Sequence, residues 1–334
     1  MFWNREKASG NLILRFIYVA VIAAASGLLF FPVYAQPAAA GPVRKMEFGQ
    51  MEFGSAQQAF AALVNAAASN NTKGLMDIFG PAGKDIISSG DPIEDTNARA
   101  RFASEAKQGL MFRQLNKDTF LALVGRGGWT FPIPIIKKGK SWIFDTEEGK
   151  QEVLDRRIGR NELSAIRASL AYVDAQREYA RVAALDGEKQ YAQNFMSRRD
   201  GRGLYWPGKA DSPLGPLFAR AAFFSRRNAA GKEAGRQMPY YGYYYKILKK
   251  QGMHAPGGAM DYVVDGTMKG GFGLVAYPAK YGVSGVMTFM VNQQGILYEK
   301  DLGPGTEKLA SEISSYDPGA TWRRVDLKQV PLSR

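Results

Sequence analysis

The side chains able to do chemistry in this chain are few. Among 334 residues there is no cysteine and a single histidine, His254. Thiol nucleophiles, thiolate metal sites and disulfides are therefore excluded. So is any metal site built on two histidines. A Ser-His-Asp triad would have to use His254, which lies in the turn-rich stretch Gln251-Gly-Met-His-Ala-Pro-Gly-Gly258 and reads first as a surface loop residue. No Gly-x-Ser-x-Gly elbow is present. Carboxylates remain. Asp261 and Asp265 are four apart on an expected strand, a spacing that turns both to one face. With Asp301 they could form the acid pair that glycan hydrolysis needs, although acids at strand ends and turns also serve structure. Asp186-Gly-Glu188 loosely resembles a calcium loop but lacks the oxygen ligands of a full one. These residues imply no cofactor and no metal.

A second group is aromatic and basic. Tyr205, Trp206, Tyr240, Tyr241, Tyr243, Tyr244 and Tyr245 lie in or beside a segment, residues 186–260, with 13 basic and 5 acidic side chains. Arg198 and Arg199 belong to it. The whole chain carries 44 basic and 31 acidic residues, net +13, so this segment holds most of the excess. Tyrosine faces beside arginines suit sugars, an envelope protein, or an anionic polymer or lipid surface. Tyrosines alternating along a strand also make good core, and a basic surface also keeps a protein soluble. Both readings stand at this point.

The elements must bring these residues together, and the N-terminus says where they would act. Arg5, Lys7 and Arg15 precede an apolar run, Phe16 to Val33, and Val33-Tyr34-Ala35 fits a signal-peptidase site before Gln36. Residues 1–35 are expected to be an export signal and 36–47 a flexible leader. A retained anchor is the alternative, because the run is long enough to span. The expected location is periplasmic or secreted, with no membrane span after signal removal. That compartment argues against nucleic acid as a partner. With 46% hydrophobic and 22% charged residues, the composition excludes a disordered chain, a collagen and a multi-span membrane protein.

Along the chain, Ser55 to Ala68 predicts a helix with Ser55 as cap and Gln58 as capping-box partner. Lys73 to Phe79 predicts a short helix, and Asp95 to Gln108 a third. Strands are expected at Thr119–Val124, Trp129–Ile136 and Ser141–Asp145. Helices followed by a meander mean α+β. This order, 48–150, resembles the cystatin-like or nuclear-transport-factor-like cone. Glu147 to about Leu185 is helical, with a break expected at Gly159 and Asn161, and residues 151–334 are read as a second unit. Strands at Met260–Val264, Gly271–Tyr277, Gly285–Asn292 and Ile296–Asp301 predict an antiparallel meander, with a short helix at Thr306–Tyr316.

Several stretches carry a resemblance. Trp129-Thr-Phe-Pro-Ile-Pro134, Trp142-Ile-Phe-Asp-Thr-Glu-Glu-Gly149 and Arg156-Arg-Ile-Gly-Arg-Asn-Glu-Leu163 resemble an uncharacterised secreted bacterial family labelled domain of unknown function 2950. So do Gly203-Leu-Tyr-Trp-Pro207, Tyr243-Tyr-Tyr-Lys-Ile-Leu248 and Gly270-Gly-Phe-Gly-Leu-Val-Ala-Tyr-Pro278. Tyr281 to Phe289 and Lys300 to Pro304 complete the set. The resemblance spans nearly all of the chain after the signal and implies an exported protein, without established catalytic residues. The long helix with Ala171 to Tyr179, then Tyr191 to Phe195, a basic loop and a meander, is also similar to the globular part of type IV pilin-like proteins. The chain lacks their N-terminal processing motif. The expected function is a non-enzymatic binding or assembly module of the bacterial envelope. The alternative is a carboxylate-dependent hydrolase of cell-wall or polysaccharide substrates.

Overall fold

A computed structural model describes residues 49–185, 187, 189–197, 203–208, 212–215 and 238–330. The expected signal and leader, Arg198, Arg199, Asp186 and Glu188 lie outside the described residues. The fold is α+β, with antiparallel sheets and helices.

Three helices open the described chain: α1 (Ala56–Ala68), α2 (Thr72–Phe79) and the short α3 (Lys84–Ile87). Ser55 Oγ accepts from Gln58 N at 3.1 Å, while Gln58 Oε1 accepts from Gly54 N, one residue earlier than a capping box requires. The next helix, α4 (Pro92–Gln108), begins earlier than the sequence predicts. Asp91 is its cap, accepting from Glu94 N at 3.0 Å, and Pro92 fills the first position, where its missing N–H costs nothing. A first sheet follows: β1 (Leu110–Asn116), β2 (Thr119–Val124), β3 (Trp129–Thr130), β4 (Ile135–Lys138) and β5 (Ser141–Phe144). Its order is β1-β2-β4-β5, with β3 also on β2. The expected strand Trp129–Ile136 is split by Pro132 and Pro134, neither of which can donate to a ladder. Phe60, Phe79, Phe131, Ile133, Ile135 and Phe144 form the core between α1 and this sheet.

One helix of 40 residues, α5 (Thr146–Leu185), then runs about 60 Å, unbroken through Gly159. The expected break is corrected for a packing reason. Gly159 is buried, and the buried Asn161 donates from Nδ2 to Ser284 O at 2.9 Å. Leu154 and Ile158 pack on Val283 beside it. Tertiary contact here outweighs the low helix propensity of Gly and Asn.

The remaining strands are β6 (Asn194–Met196), β7 (Gly203–Tyr205), β8 (Tyr243–Leu248), β9 (Lys250–Gln251), β10 (Met260–Asp261), β11 (Val263–Val264) and β12 (Thr267–Met268). After them come β13 (Gly273–Pro278), β14 (Met287–Asn292), β15 (Leu297–Asp301), helix α6 (Thr306–Glu312) and β16 (Arg323–Arg324). The second main sheet is antiparallel in the order β16-β15-β14-β13-β8. The expected strand Met260–Val264 is not in it. That stretch is divided between the β9–β10 and β11–β12 ladders, and β8 takes its place beside β13. The second half of α5 packs Tyr172 and Val173 into a core with Tyr243, Tyr245, Phe272 and Phe289.

Polar contacts tie the two cores. Lys280 Nζ lies 2.6 Å from Asp85 Oδ1, and Lys150 Nζ lies 3.6 Å from Asp85 Oδ2. The buried Asp91 accepts from Gly242 N at 2.9 Å while it caps α4. Among the described residues, no helix is long and apolar enough to cross a membrane.

Candidate functional site

The residues singled out from sequence do not meet in one place. Asp261 is exposed on β10, opposite Lys250. Asp265 sits in the β11–β12 turn with φ of 49°, so it is not on one strand face with Asp261. Asp301 ends β15, where it accepts from Tyr281 Oη at 3.2 Å and from Gly303 N at 2.7 Å. The three belong to three separate ladders, which corrects the expected common face. His254 is exposed, its Nδ1 3.0 Å from Asp317 Oδ1, and the same oxygen accepts from His254 N. This contact holds the loop to the segment after α6.

The tyrosine group divides by strand parity. Tyr243 and Tyr245 are wholly buried, which removes them from any binding surface. Tyr243 donates to Met287 O at 2.9 Å, and both rings fill the second core. Burial pushes both hydroxyls well above the usual tyrosine range. Tyr244 faces the other side and meets Tyr277 at 5.6 Å between ring centres. Tyr240 and Tyr241, half-buried, meet at 4.4 Å between ring centres, tilted by 53°, in the turn before β8. Tyr205 and Trp206 are half-buried at β7, where Trp206 Nε1 donates to Gly203 O. A continuous exposed tyrosine surface is therefore not formed by these residues.

A cleft of about 440 Å³ lies instead between α4 and α5, above the first core. Leu63, Leu75, Phe79, Phe102, Val124 and Phe131 give it an apolar floor. On α4 the residues Glu94, Ala98, Arg101 and Glu105 recur at helical spacing and form one wall. On α5 the wall is Val153, Arg156, Arg157 and Arg160. Trp129 stands at the rim, 47% exposed.

Five arginines reach this cleft, and four are committed to protein acceptors. Arg99 donates to Asn70 Oδ1 at 2.6 Å and Ile87 O at 3.0 Å. Arg101 pairs with Glu94 at 2.5 Å. Arg156 pairs with Glu152 at 2.6 Å, donates to Thr130 O, and lies 5.3 Å from the Trp129 ring centre. Arg157 donates to the carbonyls of Asp85 and Ile86 at the end of α3, where a cation suits the free carbonyls. Arg160 is different. Its guanidinium has no hydrogen-bond or ion-pair partner among the described residues, and it is exposed to the cleft. Desolvation by the surrounding protein lowers the pKa of Arg157 and of Arg160 from the ordinary value. The cleft's acids are accounted for in part: Asp95 accepts from Ser89 N with both oxygens, and Glu105 rests against Gly125.

This site was not found from sequence. Its arginines come from two helices more than fifty residues apart. One local signal existed: Arg156, Arg157 and Arg160 have the spacing of a single helix face, inside a stretch that carries the family resemblance. The lining contains no histidine, and among the described residues no cluster of three or more His, Asp or Glu could hold a metal ion.

The family model described as Protein of unknown function (DUF2950) matches residues 50–325, and the chain belongs to that family. No curated protein and no solved structure matches the chain significantly.

Proposed function

We propose that this protein is a non-enzymatic binding module working outside the cytoplasmic membrane, and that it binds a small ligand in the cleft between α4 and α5. The observation that carries this reading is the concave, largely apolar site with a guanidinium, that of Arg160, unspent among the described residues. Its volume falls in the range of small-molecule sites. Export rests on the signal-like N-terminus. The likeness of the first half to a cystatin-like cone, and of the second to a pilin-like module, is our reading of a helix laid on antiparallel strands in each half. The carboxylate-hydrolase alternative needs two converging acids, and Asp261, Asp265 and Asp301 lie in separate ladders.

The neutral dye phenylnaphthylamine tests the cleft. The purified full chain should bind it saturably at one site, with a change in Trp129 fluorescence. Ala98→Trp should abolish binding by filling the cleft from the α4 wall. Equal binding by both proteins would overturn the reading. Fractionation of cells carrying the full chain should place it in the envelope or medium. Recovery in the cytoplasm would overturn the export part.

A further inference from the structure

We infer that the ligand of this cleft is a small amphiphile with one anionic end, a carboxylate or a phosphate, held by Arg160. The inference rests on the cleft reading above and narrows it to a chemical class. Polarity in the cleft is segregated. Phe102 and Phe131 lie at the floor, while charged side chains stand on both walls, Arg156, Arg157 and Arg160 on α5 and Glu94, Arg101 and Glu105 on α4. A ligand matching both must carry an apolar body and a charge at one end.

The sign of that charge follows from what is already spent. Arg99, Arg101, Arg156 and Arg157 give their donors to side-chain or backbone oxygens. Among the described residues Arg160 keeps all of its side-chain donors, and Glu94, the acid whose charge acts on it, is already paired with Arg101. Arg160 is exposed to the cleft, and among the described residues no acceptor meets its guanidinium. A carboxylate or phosphate fits the planar fork of a guanidinium through two parallel hydrogen bonds. A cationic ligand would be repelled by Arg160, and the acid left to attract it, Glu105, lies away at Gly125 after β2. A wholly neutral one would leave the donors of Arg160 to water. The volume, about 440 Å³, suits a single small molecule and excludes a folded partner.

Two dyes with the same apolar body separate this inference from the cleft reading: phenylnaphthylamine, which is neutral, and anilinonaphthalene sulfonate, which is anionic. The readout is the ratio of their affinities for the purified full chain. The anionic dye should bind about tenfold tighter, as one charge-assisted hydrogen-bonded contact implies. Arg160→Gln should bring the ratio to about one, and Arg160→Lys, which keeps the charge but not the fork, should leave it between. Should Arg160→Gln fail to fold, the lysine variant and the wild-type ratio carry the test. Laurate and dodecyl phosphate should then displace the anionic dye better than dodecanol, and the better of the two names the head group. A wild-type ratio near one, an unchanged ratio in Arg160→Gln, or equal displacement by dodecanol would overturn the inference while the cleft reading stands. Absence of saturable binding by either dye would overturn both.

Discussion

Glu162 illustrates how one side chain on α5 sets the start of a strand it does not belong to. Half-buried, its Oε1 accepts from Val286 N and from Met287 N, each at 3.0 Å. Burial pushes its carboxyl above the usual range despite those two donors. Glu162→Ala leaves both N–H groups without their acceptor and should cost about 1–3 kcal/mol in denaturant unfolding. Glu162→Gln keeps one carbonyl oxygen there and should cost less. Equal losses would mean that side-chain volume, not hydrogen bonding, is what the position supplies. In Tyr243 and Tyr245 a local pattern meets a distant constraint. Their period of two was visible in Tyr243-Tyr-Tyr245, but which parity faced inward was decided by α5 and β13, far away in the chain.

Among the elements, α5 comes close to the segment between β3 and β4 at Gly149. A Cβ there would lie 2.5 Å from Ile133 Cα and 2.8 Å from Pro132 O. Alanine favours helix over glycine by about 1 kcal/mol, so a free helix would gain from Gly149→Ala. Here the clash is with backbone, which cannot step aside, and the substitution should lower stability by about 1–3 kcal/mol. A raised thermal midpoint would show that helix and sheet have room to separate. Local signals placed α1, α2 and β2 well, since caps, Gly80 and a β-rich run act within a few residues. They missed β1, an edge strand mostly exposed, whose Leu-Met-Phe-Arg-Gln-Leu-Asn lacks β-branched residues. They also missed the cleft, because Arg160 and Arg101 become neighbours only when two helices pack.

Taken as a whole, the molecule holds carboxyls of opposite tendency. Burial raises Asp91, Glu162 and Glu299, whereas the hydrogen bond from Lys280 lowers Asp85. Groups raised in the folded state contribute stability that is full below their unfolded pKa and is lost as pH climbs through the folded one. Asp85 has the reverse sign: its contribution is present above its unfolded pKa and is lost as pH falls through the lowered value. The thermal midpoint should therefore peak at mildly acidic pH, above about 4, and decline toward neutrality. Asp91→Asn should flatten that decline even if it lowers the midpoint throughout. A midpoint rising steadily to neutral pH would contradict the assignment of Asp91, Glu162 and Glu299 as raised groups.

The unbroken course of α5 has a consequence for the history of such a chain. Fused modules usually part at a loop, where recombination or proteolysis can separate them without damage. Here any cut between the two cores falls inside one helix. The first half would keep Leu154 on a helix stripped of its continuation and of Val283, and the second would keep Ile166 and Tyr172 on its own sheet but begin at a frayed turn. Each piece would lose helix and cross-contacts such as Lys280–Asp85 and Gly242–Asp91, so cleft and second sheet are expected to be gained and lost together.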